Sequence, residues 1–228
     1  PSHVGPAAAR NLGASRVDSD ILFFTDDDVE IQADTLTKVR TAFEADPALT
    51  ALIGSYDGDP GHSDFLSQYR NLQHHFVHQV SRREASTFWS GCGAIRRNEF
   101  SKIGGFCEGY RRPSVEDIEL GYRLHAQGLR IRLDKGLQVK HLKHWTLARL
   151  LVTDVRDRGF LWARLSLDRR FMPVDLNLTI LSRFSVLLAA LTAAGTAWSA
   201  AAVSVEALAF PLWLIALSLL GVALWGVL

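Results

Sequence analysis

An α/β domain followed by two membrane-spanning helices is the architecture that this sequence of 228 residues predicts. Three observations carry it. Short apolar segments alternate with amphipathic helical ones up to about residue 145, the pattern of a sheet flanked by helices. One short segment, "DILFFTDDDVEI", runs into three adjacent aspartates, and ligands in open α/β sheets bind at the carboxyl ends of strands. From Phe184 onward, Glu206 is the only charged residue.

The elements follow in order. "DILFFTD" reads as a buried strand ending in acid. "DTLTKVRTAFEAD" places Leu36, Val39 and Phe43 at helical spacing, with Asp34 as N-cap. "LTALIGSY" is the next strand and "SDFLSQYRNLQHHFVHQVSRREA" a longer helix. "STFWSGCGAIRRNEFSKIGGF" is strand and turn punctuated by glycine. "SVEDIELGYRLHAQG" is a helix with Ser114 as cap, acids in its first turn and Gly128 as its stop. "LRIRLDKGLQVKHL" reads as a pair of short strands.

Residues 146–183 form a connector rich in Leu, Trp, Arg and Asp. It fits an amphipathic segment on a membrane surface as well as an ordinary helix closing the domain. The runs 184–203 and 208–228 hold 20 and 21 residues without a charge. A helix needs about 20 apolar residues to cross the hydrocarbon core, so both are expected to span, joined by "SVEA". Nine Lys or Arg residues lie from Lys140 to Arg183, and "SVEA" has none. The positive-inside rule then puts the N-terminal domain on the cytoplasmic side of an inner or plasma membrane, as part of a multi-pass protein.

Net charge is +1, which gives no electrostatic case for nucleic acid. The two cysteines, Cys92 and Cys107, make no disulfide framework and read as reduced thiols. The chain opens at Pro1 inside an apparent loop and stops at Leu228 inside an apolar run, so it is read as a fragment cut at both ends.

The chemistry concentrates in acids. Asp26 and Asp28 are two apart, so in extended backbone they share a side. Two oxygens on one side suit a hard divalent cation such as Mg²⁺ or Mn²⁺, and the alternative is a solvated acidic turn. Glu116 and Asp117 start a helix, where acids can serve as simple capping or, functionally, as a general base. His141 stands at a strand end, where it is either a metal ligand or a surface or core histidine. His74 and His78 have the i, i+4 spacing of a zinc pair, but no Glu or Cys nearby completes a site, and a helix lining the acceptor region is favoured. A phosphoryl enzyme with an attacking Asp would need a lysine at the cluster, and Lys38, on a helix, fits badly.

In this order the pieces resemble an inverting family-two glycosyltransferase of the GT-A fold, the nucleotide-diphospho-sugar transferase-like relative of the Rossmann fold. The resemblance starts at "GPAAARNLGAS". It continues through the Asp-x-Asp stretch of "DILFFTDDDVEI" and through "GCGAIRRNEFSKIGGF". It ends with "EDIELGYRLHAQG" and "VKH", spanning most of residues 5–145. It implies that Asp28 with Asp26 holds a divalent metal and, through it, the diphosphate of a nucleotide sugar. His141 would stand near that metal. Asp27, Arg10 and Asn11 would face the donor, and Gly91 and Gly93 would let backbone approach sugar or acceptor. Asp117 would be the base that deprotonates the acceptor hydroxyl, with Glu116 the less favoured candidate. The reaction would be a single in-line displacement with inversion.

The opening strands of such a domain are missing here. The Gln-x-x-Arg-Trp motif of polymer-forming members is also absent: "RGFLWARL" has only Trp162. A non-processive enzyme acting on a lipid or glycan acceptor is therefore expected. The alternative is a non-catalytic, membrane-anchored binding or scaffold protein with a transferase-like fold.

Overall fold

The computed structural model describes residues 5–159, 161, 162, 164, 165, 188, 191, 192 and 194–196. The chain divides into two compact units, Pro1–Leu176 and Asn177–Leu228. In the second unit the described residues are helical, and Thr192 Oγ1 donates to the carbonyl of Leu188 at 2.8 Å. The expected spans 184–203 and 208–228 lie largely outside the described residues. Among those described, no helix is long and apolar enough to cross a membrane.

The first unit runs α1 (Pro6–Ser15), β1 (Ile21–Thr25), β2 (Val29–Ile31), α2 (Thr35–Ala45), β3 (Leu49–Tyr56), α3 (Phe65–Val80) and β4 (Glu84–Ala85). It continues with β5 (Cys92–Arg96), α4 (Arg97–Lys102), α5 (Glu116–Ala126), β6 (Arg130–His141), α6 (Leu147–Leu151) and a π-helical turn, Val152–Gly159. Six strands form one sheet in the order β1-β5-β3-β6-β2, with β4 also on β6. β3 and β6 are parallel and the other pairings are antiparallel. β3 is buried at every position, as expected of a central strand covered on both faces.

Strand alternation divides the core into two clusters. Leu22, Phe24, Ile53, Ile95, Ile131 and Leu133 pack with Phe100, Phe106, Leu120 and Leu124 from the α4 and α5 side. Leu52, Ala94, Leu137 and Val139 pack with Val39, Ala42 and Phe43 of α2. Leu133 and Leu137 are four apart yet lie in opposite clusters, which a regular strand forbids. The pairing jumps from Ile53↔Leu133 to Ser55↔Gln138, so residues 134–137 bulge and reverse the faces. Asp134 stabilises the bulge by accepting the Gly136 N–H at 2.9 Å. The expected pair of short strands is therefore one bulged strand of 12 residues.

Asp34 is the N-cap of α2 as expected, by position and not by a side-chain bond, whereas the cap expected for α5 differs. Asp34 makes no cap hydrogen bond; its carboxylate meets Lys38 at 3.0 Å instead. The N-cap of α5 is Val115 rather than Ser114. Ser114 contributes its backbone N–H, which donates to Glu116 Oε2 at 2.8 Å.

The connector stays on the domain as far as it is described. The Trp145 N–H donates to Ser67 Oγ at 2.8 Å, and Arg70 meets Asp154 at 2.5 Å.

Candidate active site

The site lies where β1, β3 and β6 end and where β2 and α5 begin. β1 stops at Thr25, and Asp26–Asp28 fall in the turn into β2. The extended geometry expected for Asp26 and Asp28 is thus not present. The turn sends the two carboxylates to different cations.

Asp26 accepts from Arg10 at 2.7 Å, and the same guanidinium donates to Glu116 Oε1 at 2.8 Å. The Arg10–Glu116 pair joins residues 106 apart in sequence and brings the two acidic motifs into one site. Glu116 is 5% exposed, with Arg10 on one oxygen and the Ser114 N–H on the other.

Asp28 faces the end of β6. β2 pairs Val29 with His141, and the carbonyl of Asp28 accepts the Leu142 N–H at 2.8 Å. His141 Nε2 stands 3.9 Å from Asp28 Oδ2, and Lys143 Nζ stands 3.2 Å from the same oxygen. A lysine therefore does stand at the acidic cluster, supplied by the chain beyond β6. Burial lowers the His141 pKa to about 4 against the opposing pull of Asp28, leaving a neutral imidazole at pH 7.

Asp117 opens α5. Its Oδ2 accepts from the Ser90 N–H at 3.2 Å and from Ser90 Oγ at 3.3 Å, and Oδ1 accepts the Ile118 N–H at 2.8 Å. Burial, and then the charge of Glu116, raise its pKa to about 6. That value suits a base working near neutral pH. Glu116, its two oxygens already accepting from Arg10 and from the Ser114 N–H, is poorly arranged to take a proton.

An aromatic cluster that the motifs did not reveal connects these parts. Tyr56, the last residue of β3, stacks on His141 with centroids 4.2 Å apart and planes 10° apart. Its other neighbours are His74 at 4.4 Å and Trp89 at 4.9 Å. Burial, followed by the charges of Asp26 and Asp28, raises the Tyr56 pKa strongly, so its hydroxyl stays protonated beside both carboxylates. Trp89 precedes Ser90, which holds Asp117. The only sequence signal for Tyr56 was its place at a strand end, and for Trp89 its neighbours in "FWSGCG".

His74 and His78 lie 4.1 Å apart and both pack on Trp89. Burial keeps both neutral, His78 with a pKa of about 4. His78 Nδ1 is engaged with the carbonyl of Gly54 at 2.8 Å. The pair therefore serves as one wall of the site.

The other expected residues fall as follows. Asp27 is exposed in the turn. Asn11 clamps the Gly-Gly-Phe loop: its Nδ2 donates to the Phe106 carbonyl and its Oδ1 accepts the Phe106 N–H, both at 2.9 Å. The close approach at Gly91 and Gly93 is to the protein itself. A Cβ on Gly93 would lie 2.4 Å from the Trp89 carbonyl, and one on Gly91 would lie 2.6 Å from the Trp89 ring. Arg96 is structural, donating to the carbonyls of Leu49, Phe43 and Asp46. Cys92 and Cys107 are both free.

Among the described residues, no three His, Cys, Asp or Glu side chains converge as a metal site. Asp28 and His141 nonetheless suit a cation whose remaining ligands come from elsewhere. Their 3.9 Å separation is too long for a hydrogen bond. Adjacent octahedral ligands with bonds of about 2.1 Å stand about 3.0 Å apart, so a closure of about 1 Å would bring both onto one cation.

Comparison with known proteins bears on the fold and on the family. The mannosyltransferase PcManGT of Pyrobaculum calidifontis, solved with GDP-Man and Mn²⁺, aligns with a TM-score of 0.53 at 22% identity. The alignment covers 94% of this chain and 60% of that one, and it shows a shared fold. Validoxylamine A glucosyltransferase of Streptomyces hygroscopicus subsp. jinggangensis is 37% identical over 57 residues, 24% of this chain and 14% of that protein. Its counterpart in subspecies limoneus matches to the same extent over 13% of its length. The chain thus spans less than two thirds of each of these relatives. The profile of glycosyl transferase family 2 matches residues 1–117, just over half of the sequence. With its mixed α/β sheet of GT-A type and its two acidic motifs joined through Arg10, this chain belongs to glycosyl transferase family 2.

Proposed function

We propose that the chain is the catalytic part of a membrane-bound, inverting, non-processive glycosyltransferase. It moves a sugar from a nucleotide-diphospho-sugar to a hydroxyl on a lipid or glycan acceptor, with its catalytic domain on the cytoplasmic side. The observation that carries the reading is Arg10, which ties Asp26 to Glu116 and so sets the Asp-x-Asp turn beside the base candidate Asp117. The membrane placement is supported by the uncharged runs 184–203 and 208–228.

Asp28 and His141 would hold a divalent cation, Mg²⁺ or Mn²⁺, whose charge stabilises the departing diphosphate. The neutral imidazole of His141 leaves a lone pair for such a cation. Lys143, beside Asp28, adds positive charge on the same side. Asp117 takes the acceptor proton. Its Oδ2 is oriented by Ser90, so the carboxylate is positioned before the acceptor arrives. Trp89, which is half-buried, gives the apolar surface on which a sugar ring rests, with the buried Tyr56 packed behind it. PcManGT binds GDP-Man and Mn²⁺; the same donor class and metal are the first to test here.

The test is donor turnover by the whole protein in membranes, with UDP-, GDP- and dTDP-sugars, in Mn²⁺ and in chelator. Turnover of at least one donor that chelator abolishes is expected. A protein that binds and turns over none of them in either condition is a scaffold, and the proposal fails.

A further inference from the structure

We infer that the outer face of α3 is a membrane-docking face that lies against an anionic bilayer surface. This rests on the membrane-bound reading above and adds the part of the domain that meets the lipid.

α3 is inverted with respect to an ordinary surface helix. Its buried positions are polar: Ser67, Asn71 and His78. Its exposed positions are apolar: Phe65 at 79%, Tyr69 at 42%, Leu72 at 39%, Phe76 at 46% and Val80 at 60%. Their spacing of three or four residues puts all five on one stripe. The inward face is fixed by hydrogen bonds and not by apolar packing alone. Ser67 Oγ accepts the Trp145 N–H, Asn71 Nδ2 donates to the Asp57 carbonyl, and His78 Nδ1 meets the Gly54 carbonyl. Turning the helix to hide the stripe would strand these groups without partners. An apolar stripe of this length needs a cover.

Charge identifies the cover. α3 contains no Asp or Glu, and exposed Arg82 and Arg83 follow its end. The neighbouring segment carries apolar residues and arginines too, although it also holds Asp154, paired with Arg70, and Asp157, paired with Arg156. Leu147, Leu151 and Val155 are exposed, and so are Arg149, Arg156 and Arg158. Apolar residues interleaved with arginine fit the boundary between acyl chains and anionic headgroups. A second copy of this stripe would instead set like charges against each other. The same chain carries two uncharged runs of 20 and 21 residues, each long enough to span, which brings a bilayer within reach.

The test places a fluorophore at Phe76→Cys, and separately at Tyr69→Cys, in the full chain with Cys107→Ser. Glu44→Cys on α2 is the reference. The proteins are reconstituted in vesicles containing phosphatidylglycerol. Nitroxide-labelled lipid is expected to quench positions 69 and 76 several-fold more than position 44, with aqueous iodide showing the reverse. Iodide reaching 69 and 76 as readily as 44 would overturn the proposal. So would protection from both quenchers, which would mean a protein cover from residues 184–228 or from a second copy. An alkaline carbonate wash of the same vesicles separates the two claims. Release of the protein refutes anchorage, whereas retention with water-exposed 69 and 76 refutes only the docking face.

Discussion

Replacing Arg10 by Met tests the joint between the two acidic motifs. The side chain is 16% exposed and its partner Glu116 5% exposed, so that pair is largely desolvated. Asp26 is 32% exposed, and its half of the interaction is partly screened by water. Removing one partner of a buried pair destabilises by about 3–5 kcal/mol, and exposed pairs contribute about 0–1 kcal/mol. For Arg10→Met the stranded Glu116 carboxylate dominates, so a loss of about 2–4 kcal/mol is expected. For a chain of this size that lowers the melting temperature by very roughly 5–15 °C. The assay is thermal and urea unfolding of wild type, Arg10→Met, Glu116→Gln and the double variant in one detergent. The double variant removes the stranded charge and should recover most of the loss, giving a clear coupling energy in the cycle. A cost below about 0.5 kcal/mol for Arg10→Met, or strict additivity, would refute the joint.

Three further outcomes are expected. Asp117→Asn should lower kcat by about 10²–10⁴, and the rising limb of the wild-type pH profile, centred near pH 6, should vanish with it. The folded pKa of Asp117 is raised, so its contribution to stability is full below the unfolded value and is lost as pH rises through about 6; the Asn variant should therefore unfold no more easily than wild type at pH 8, and a clear loss there would contradict the assignment. Tyr56→Ala should weaken Mn²⁺ binding in the presence of nucleotide by about 10-fold or more while Tyr56→Phe stays near wild type, because the stacked ring and not the hydroxyl orients His141. Gly93→Ala, whose Cβ meets the Trp89 backbone at 2.4 Å, should destabilise by about 1–3 kcal/mol, whereas Gly58→Ala, with nothing within 4 Å, should be near neutral in the same unfolding assay.

Much of this site could be read from local pattern. Apolar runs ending in acid located β1 and the Asp turn. "LTALIGSY" matched β3 residue for residue, because a strand buried on both faces is a continuous apolar run. Gly128, at φ +73°, stops α5 as read. What was hidden depends on long-range placement. The bulge at 134–137 reads in the sequence as a break between strands, since "DKG" is turn chemistry in either setting. Strand geometry gives Asp26 and Asp28 a common direction, but the strand ends at Thr25, before either of them. Arg10 is legible in the sequence only as a donor-facing residue that the resemblance implies, and its tie between Asp26 and Glu116 emerges once α1 and α5 are seen to meet. Tyr56 and Trp89 carry no motif, and only the sheet places them between the acids.

The central claim is that Asp28 serves the donor and Asp117 the proton. It is tested most directly by measuring donor affinity and donor turnover together, in Mn²⁺, for Asp28→Asn and Asp117→Asn in the whole protein. Asp28→Asn should lose both. Asp117→Asn should bind the nucleotide sugar as wild type does and fail to transfer it. If both variants bind and transfer like wild type, the acids at the end of β1 and the start of α5 are a solvated turn and a helix cap, and the account is wrong.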